Sequence, residues 1–206
     1  MRYSADHKAQ THQRIVKEAA ARFRKDGIGA TGLQPLMKAL GLTHGGFYAH
    51  FKSKDELVDC ALRSAAEEMR LATERRFAGE RPLESFIELY LSEAHRRHPE
   101  NGCPLPTMAA ELGQRGEPNP VVDSAVQERL ALMAQALGGG ETAEAQSLVM
   151  LSTLIGALVL SRSVEDQAFA TRILDASRAA LTAQAQAQSQ DISHENLNQT
   201  VDKLGE

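Results

Sequence analysis

Apolar side chains recur at steps of three and four residues along nearly the whole chain. Nowhere do they alternate in and out as a half-buried strand requires. That periodicity makes helices the building blocks and an all-α fold the expectation. Alanine is abundant, Trp is absent and aromatic residues make up only 4%, so the helices should pack closely through small side chains. With 42% hydrophobic residues over 206 positions, a sizeable core is available and disorder is excluded as the main state.

Glycine and proline divide the pattern into nine expected helices. The first runs from about 7 to 26, buries Ile15, Ala19 and Phe23, and closes at Gly27. The second covers about 32–40; Pro35 belongs in a first turn, where backbone N–H groups lack helical partners. Gly41 ends it, and Thr43 caps a third helix to about His50. Ser53 and Glu56 stand at capping-box spacing and open a long fourth helix to about Phe77. Further helices are expected near 83–98, 105–115, 119–137, 141–163 and 166–187, followed by a polar, low-complexity tail.

Charge is divided unevenly. Residues 1–60 carry ten Lys/Arg against six Asp/Glu, whereas the remainder carries 13 against 21, for a net charge of −4. A small basic unit on a larger acidic body suggests an anionic partner for the first. The N-terminus lacks the apolar core of a signal peptide. The longest apolar run, Leu148 to Leu160, is interrupted by Ser152, Thr153 and Gly156, and is shorter than the roughly 20 residues a bilayer span needs. Two cysteines 43 positions apart form no disulfide framework. A cytoplasmic protein with no membrane partner is expected.

Two short helices joined at Gly41 form a helix-turn-helix. Leu33, Leu36, Met37, Leu40, Leu42, Phe47 and Phe51 can share a core with the first helix. That use leaves Thr43, His44, Gly45, Tyr48 and Ala49 on the outer face. A helix entering the major groove reads base edges with its first residues. Gly45 and Gly46 each cost roughly 1 kcal/mol of helix propensity, and close approach to a sugar–phosphate wall is one reason to keep them.

The segment Gly45-x-Phe47-Tyr48-x-His50-Phe51-x-Ser53-Lys54-x-x-Leu57, with the stretch back through Ile15–Phe23, resembles the DNA-binding domain of the TetR/AcrR family of transcriptional regulators. The resemblance covers roughly residues 8–68. Gly32 stands where Ser or Thr is usual, Pro35 where a polar or acidic residue is common, and Ala49 at a frequently polar or aromatic position. The resemblance implies a homodimer on double-stranded DNA, with one recognition helix in each major groove of a palindromic operator. It assigns base-side contacts to Thr43, His44 and Gly45, and a phosphate or thymine-methyl contact to Tyr48. Phosphate contacts fall to His50 and Lys54, with backbone contacts on the opposite strand from Thr31 and Gln34. His50 serves equally as a structural cap before Phe51. His7 and Lys8, with Arg2, are candidates for a phosphate-reaching arm.

Residues 69–188 then form an effector-binding and dimerisation domain, and 189–206 a polar tail. Apolar faces on the last two helices (Leu148, Leu151, Ile155, Leu158 and Val159; Phe169, Ile173, Leu174 and Leu181) are flanked by small residues. In the family, the equivalent helices pair with their mates across the dimer. Phe86, Tyr90, Met108, Leu112, Met133 and Leu137 either line an effector pocket or fill an ordinary core.

Cys103 directly precedes a proline-started helix, and a thiol at a helix N-terminus is acidified by the local positive charge. The turn Gly102-Cys103-Pro104-Leu105 also resembles that of a subgroup of the family, some of which sense oxidants or electrophiles through a cysteine there. His95-x-x-His98 with Cys103 is a weaker candidate for zinc. No hydrolase elbow, phosphate loop or dinucleotide fingerprint occurs. No enzyme activity, cofactor or metal is therefore expected. The reading is a repressor released by a small-molecule effector or by modification of Cys103. Its alternative is a helical small-molecule-binding or scaffold protein without DNA.

Overall fold

The computed structural model describes residues 6–187 in full and traces helical backbone from Arg2 to Leu204. The expected tail at 189–206 and Arg2 of the expected arm lie outside the fully described residues. Among the described residues there is no strand. These described residues form ten α-helices: α1 Arg2–Asp26, α2 Leu33–Ala39, α3 His44–Phe47, α4 Lys54–Phe77, α5 Pro82–Tyr90, α6 Glu93–Arg97, α7 Ala110–Gln114, α8 Pro120–Ala136, α9 Gly140–Ser163 and α10 Gln167–Leu204. A 3₁₀ turn covers Pro99–Asn101, and a π-helical turn over Leu105–Ala109 runs into α7.

The chain divides into two compact units, Met1–Leu71 with His98–Ala125, and Ala72–Arg97 with Val126–Glu206. The expected division was linear, with residues 69–188 in a second domain and 189–206 as a tail. Instead, residues 98–125 pack into the first unit. Met108 and Leu112 join the core built by Ile15, Ala19 and Phe23 of α1, Leu36 and Met37 of α2, Phe47, Phe51, and Leu57 and Leu62 of α4. Val121 and Val122 pack against the same core. Fully burying side chains of this size contributes roughly 1.5–3 kcal/mol each, so the segment is tied to the first unit by its apolar residues as well as by polar anchors.

The turn of the helix-turn-helix is built from backbone. Gly41 adopts φ +72°; its N–H donates to Lys38 O at 3.0 Å, and that of Leu42 to Met37 O at 2.9 Å. This is a complete Schellman closure of α2, and the left-handed residue inside it favours glycine. Thr43 then caps α3, its Oγ1 accepting from Gly46 N at 3.2 Å. Ser53 caps α4 by accepting from Glu56 N at 3.1 Å, but the Glu56 carboxylate reaches back to Lys52 N (2.6 Å).

In the second unit the expected helix 83–98 is broken at Leu91 and Ser92. Arg178 donates to Leu91 O at 3.4 Å, and Ser92 Oγ accepts from His95 N at 3.1 Å to start α6. Arg162 of α9 closes the end of α6 by donating to His95 O (2.5 Å) and Arg96 O (3.1 Å). Arg96 returns bonds to Ser161 O at 3.3 Å and Gln167 Oε1 at 2.6 Å. The helix carrying the apolar run is longer than the run itself. α9 has 24 residues and is long and apolar enough, by length and composition alone, to cross a membrane. It packs on α5, α6 and α10, burying Met150, Leu151, Leu154 and Leu158.

Candidate nucleic-acid interface

The short α3 has two opposed sides. Phe47 is fully buried and lies between Tyr48 and Phe51, with ring centroids at 5.3 and 5.4 Å. Thr43, His44, Gly45, Tyr48 and Ala49 are exposed, Tyr48 to 62%. The His44 and Tyr48 rings meet edge-on at 5.9 Å. A side chain at Gly45 would enter open space, so that position leaves room for a surface to approach. Gly46 has an internal reason instead: a Cβ there would lie 3.3 Å from Thr43 Oγ1, the atom that caps the helix.

Gln34 is exposed on α2. Thr31 is only 5% exposed, and its hydroxyl donates to Gly27 O at 2.7 Å. The hydroxyl therefore holds the α1–α2 loop. Gly32 and Pro35 belong together, because a Cβ at 32 would lie 3.1 Å from Pro35 Cδ.

Lys54 is half-buried at the start of α4, and its Nζ donates to Ile28 O at 2.6 Å. An ammonium carries three donors, so the same nitrogen retains capacity for a phosphate oxygen. Lys52 is exposed one residue before the Ser53 cap and stands as a further phosphate candidate; the Lys52-Ser53-Lys54 spacing carried that signal. His50 is half-buried, and its Nδ1 is buried without a hydrogen-bond partner. Burial, then His12 and Lys8, hold its pKa below the ordinary histidine value. His12 stacks on Phe51 at 4.5 Å, so His50 sits in a partly aromatic, basic corner. His7 and Lys8 are exposed on α1.

The residues offered for an effector site fall in both units. Met108 and Leu112 are core residues of the first. Phe86 and Tyr90 are buried in the second, with centroids 5.6 Å apart, and the Arg129 guanidinium lies 6.0 Å from the Phe86 ring. Met133 and Leu137 are buried in the second unit as well. The His95 Nδ1–H donates to Tyr90 O at 2.7 Å. Cys103 is 2% exposed, separated by Pro104 from the π-helical turn. Among the described residues no cluster of three or more His, Cys, Asp or Glu side chains is arranged to hold a metal ion.

A buried-backed α3 with a polar outer edge, set behind a Schellman turn, defines a helix-turn-helix domain. Residues 15–60 match the family model described as bacterial regulatory proteins of the tetR family. Over 46 residues the chain is 41% identical to the uncharacterized HTH-type transcriptional regulator YerO of Bacillus subtilis (strain 168), covering 22% of this chain and 16% of that protein. Over 85 residues it is 32% identical to the HTH-type transcriptional regulator AcrR of Shigella flexneri, covering 40% of this chain and 39% of that one. The chain thus matches well under half the length of these curated relatives. A TetR transcriptional regulator from Chloroflexus aurantiacus J-10-FL superposes with a TM-score of 0.69 at 25% identity, over 86% of this chain and 95% of the other. Residues 15–60 thus match the DNA-binding domain of the tetR family, and the chain as a whole shares the fold of a TetR transcriptional regulator.

Proposed function

We propose that this protein is a homodimeric transcriptional repressor that binds a palindromic DNA operator and leaves it when a small-molecule effector binds. The observation that carries the reading is the exposed edge of Thr43, His44, Gly45 and Tyr48 on a helix whose other side is anchored by fully buried Phe47. Tyr48, Gln34, Lys52 and Lys54 supply the phosphate-facing groups around it. Such a protein works where chromosomal DNA is, in the cytoplasm, as a regulator and not a catalyst.

Dimerisation is assigned to the outer side of α9 and the start of α10. Leu148, Val149, Ser152, Val159 and Leu160 are exposed along α9, as is Phe169 on α10. At Gly156 an added Cβ meets nothing within 4 Å, leaving space for a neighbouring helix. Leu151, Leu158, Leu174 and Leu181 are buried within the unit itself, so the face offered to a second copy is narrower than the apolar pattern suggests.

The test is selection of duplexes from a random pool, followed by binding at two salt concentrations. A palindromic duplex should be recovered, with affinity falling steeply as salt rises. Tyr48→Ala should bind it at least tenfold more weakly and keep wild-type helicity. Recovery of no duplex removes the reading and leaves the scaffold alternative. Cys103 is a second route to release. Because it is buried, an oxidant or quinone reaches it only when the 98–125 segment opens. Loss of binding in wild type but not in Cys103→Ser is the expected result, and equal loss in both removes the thiol from the mechanism.

A further inference from the structure

Residues 98–125 are bounded at both ends by the second unit in sequence, yet they are anchored in the first. Two polar anchors hold them there. Arg24, 5% exposed on α1, donates to Gly102 O at 3.2 Å while also bonding Ala20 O and Glu68 Oε2. The second anchor is at the loop that precedes the reader. Glu111 of α7 accepts from Ile28 N at 2.6 Å through one carboxylate oxygen and from Gly29 N at 2.7 Å through the other. Successive backbone N–H groups of this kind make a small anion-binding concavity.

The loop is shaped for that carboxylate. A Cβ on Gly27 would lie 3.0 Å from Glu111 Oε2, and one on Gly29 would lie 3.0 Å from Oε1 and 3.4 Å from Arg115 Nη2. Gly27 has φ +87° and is needed for the turn, whereas Gly29 is not in the left-handed region. Its lack of a side chain therefore matters for the approach of Glu111. Arg115 pairs with the same carboxylate. Burial alone would raise the Glu111 pKa; the two amides and Arg115 outweigh it and hold the group ionised, below the usual carboxylate range. On the other side of the same residue, Ile28 O receives the Lys54 ammonium. Ile28 is thus gripped at its N–H by a negative charge from α7 and at its carbonyl by a positive charge from α4.

We propose that Glu111 is a positioning residue for the DNA reader: by seating in the Ile28–Gly29 amides it fixes the α1–α2 loop against Lys54, so that duplex affinity depends on where the 98–125 segment lies. The inference rests on the regulator reading above. It routes the signal through the loop ahead of α2, and not through α4 alone.

The sign of one substitution separates this role from simple electrostatics. Glu111→Gln removes a negative charge, which by itself favours binding to DNA. The proposal requires the opposite, a loss of at least about fivefold, the lower end of ordinary coupling between sites. Gly29→Ala attacks the same contact from the loop side and should give a similar loss. The probe is the duplex that wild type selects from a random pool, with helicity and melting temperature measured alongside. Amide exchange at Ile28 and Gly29 reports the clamp without DNA and should quicken in both variants. The double variant should be no worse than the weaker single one.

Wild-type affinity in a folded variant whose Ile28 and Gly29 amides exchange faster overturns the inference alone. So do losses that simply add in the double variant. Should Glu111→Gln fail to fold, Gly29→Ala decides on the same readings. A wild type that selects no duplex overturns the regulator reading, and this inference with it.

Discussion

Lys54 and Ile28 are joined by a 2.6 Å hydrogen bond from the side-chain ammonium to the backbone carbonyl, linking the first turn of α4 to the loop before α2. The lysine is therefore both a candidate phosphate contact and a brace. Lys54→Ala should do two separable things. Duplex affinity should weaken with the slope of log affinity against log salt reduced by about one. Stability without DNA should fall by about 1–2 kcal/mol, toward the range for bonds to charged groups but discounted for partial exposure. Urea denaturation and salt titration measure the two. An unchanged salt slope would leave Lys54 as brace only.

Gly32 and Pro35 should be coupled. Serine at a helix start usually stabilises relative to glycine by a few tenths of a kcal/mol. Here its Cβ would press on the rigid Pro35 ring at 3.1 Å. Gly32→Ser should therefore be neutral or destabilising in the native background, and stabilising once Pro35→Glu is in place. A double-mutant cycle read by chemical denaturation checks this, and an interaction energy of about 0.5 kcal/mol or more is expected.

Acidification should cost stability. Burial, and then the neighbouring Arg162 and Arg129, hold His95 below the ordinary 6.5 despite its bond to Tyr90 O. His50 is shifted the same way. A histidine with a lowered folded pKa takes up its proton more readily once unfolded. Its contribution is therefore complete above about pH 6.5 and declines as pH falls toward the folded value. Melting temperature should drop on going from pH 7.5 to pH 5.5, and His95→Gln should flatten part of that slope. A slope unchanged by His95→Gln would place the linkage elsewhere.

The proposed dimer face can be broken without touching the core. Leu160 is 57% exposed and Val149 59% exposed. Leu160→Glu with Val149→Glu should yield folded monomers in sedimentation, because the charges would be buried unpaired between two copies. The monomers should bind the full palindrome far more weakly than wild type. A dimer that survives both substitutions would move the interface to another surface.

How much of this was legible in the sequence follows from how local each determinant is. Gly41, Thr43, Ser53 and the apolar steps from Ile15 to Phe51 act within a turn or two, and they specify the reader almost unaided. The break at Leu91 and Ser92 carries no proline or glycine. It is stabilised by Arg178 and Arg162, which come from α10 and α9. Thr31 looks like any exposed polar residue until the loop curls it onto Gly27 O. Glu111 reads as an ordinary helical glutamate paired with Arg115, since the backbone amides it seats on lie more than 80 positions away. The placement of 98–125 in the first unit depends on equally remote packing by Met108 and Leu112.

The four-residue α3 and its two caps keep anchorage and the proposed reading on different side chains: Phe47 inward; Thr43, His44, Gly45 and Tyr48 outward. Apart from the Thr43 cap, the outward positions can change with little penalty to the fold. A lineage of such proteins can therefore wander among target sites while its scaffold stays put, and new regulatory wiring needs no new architecture.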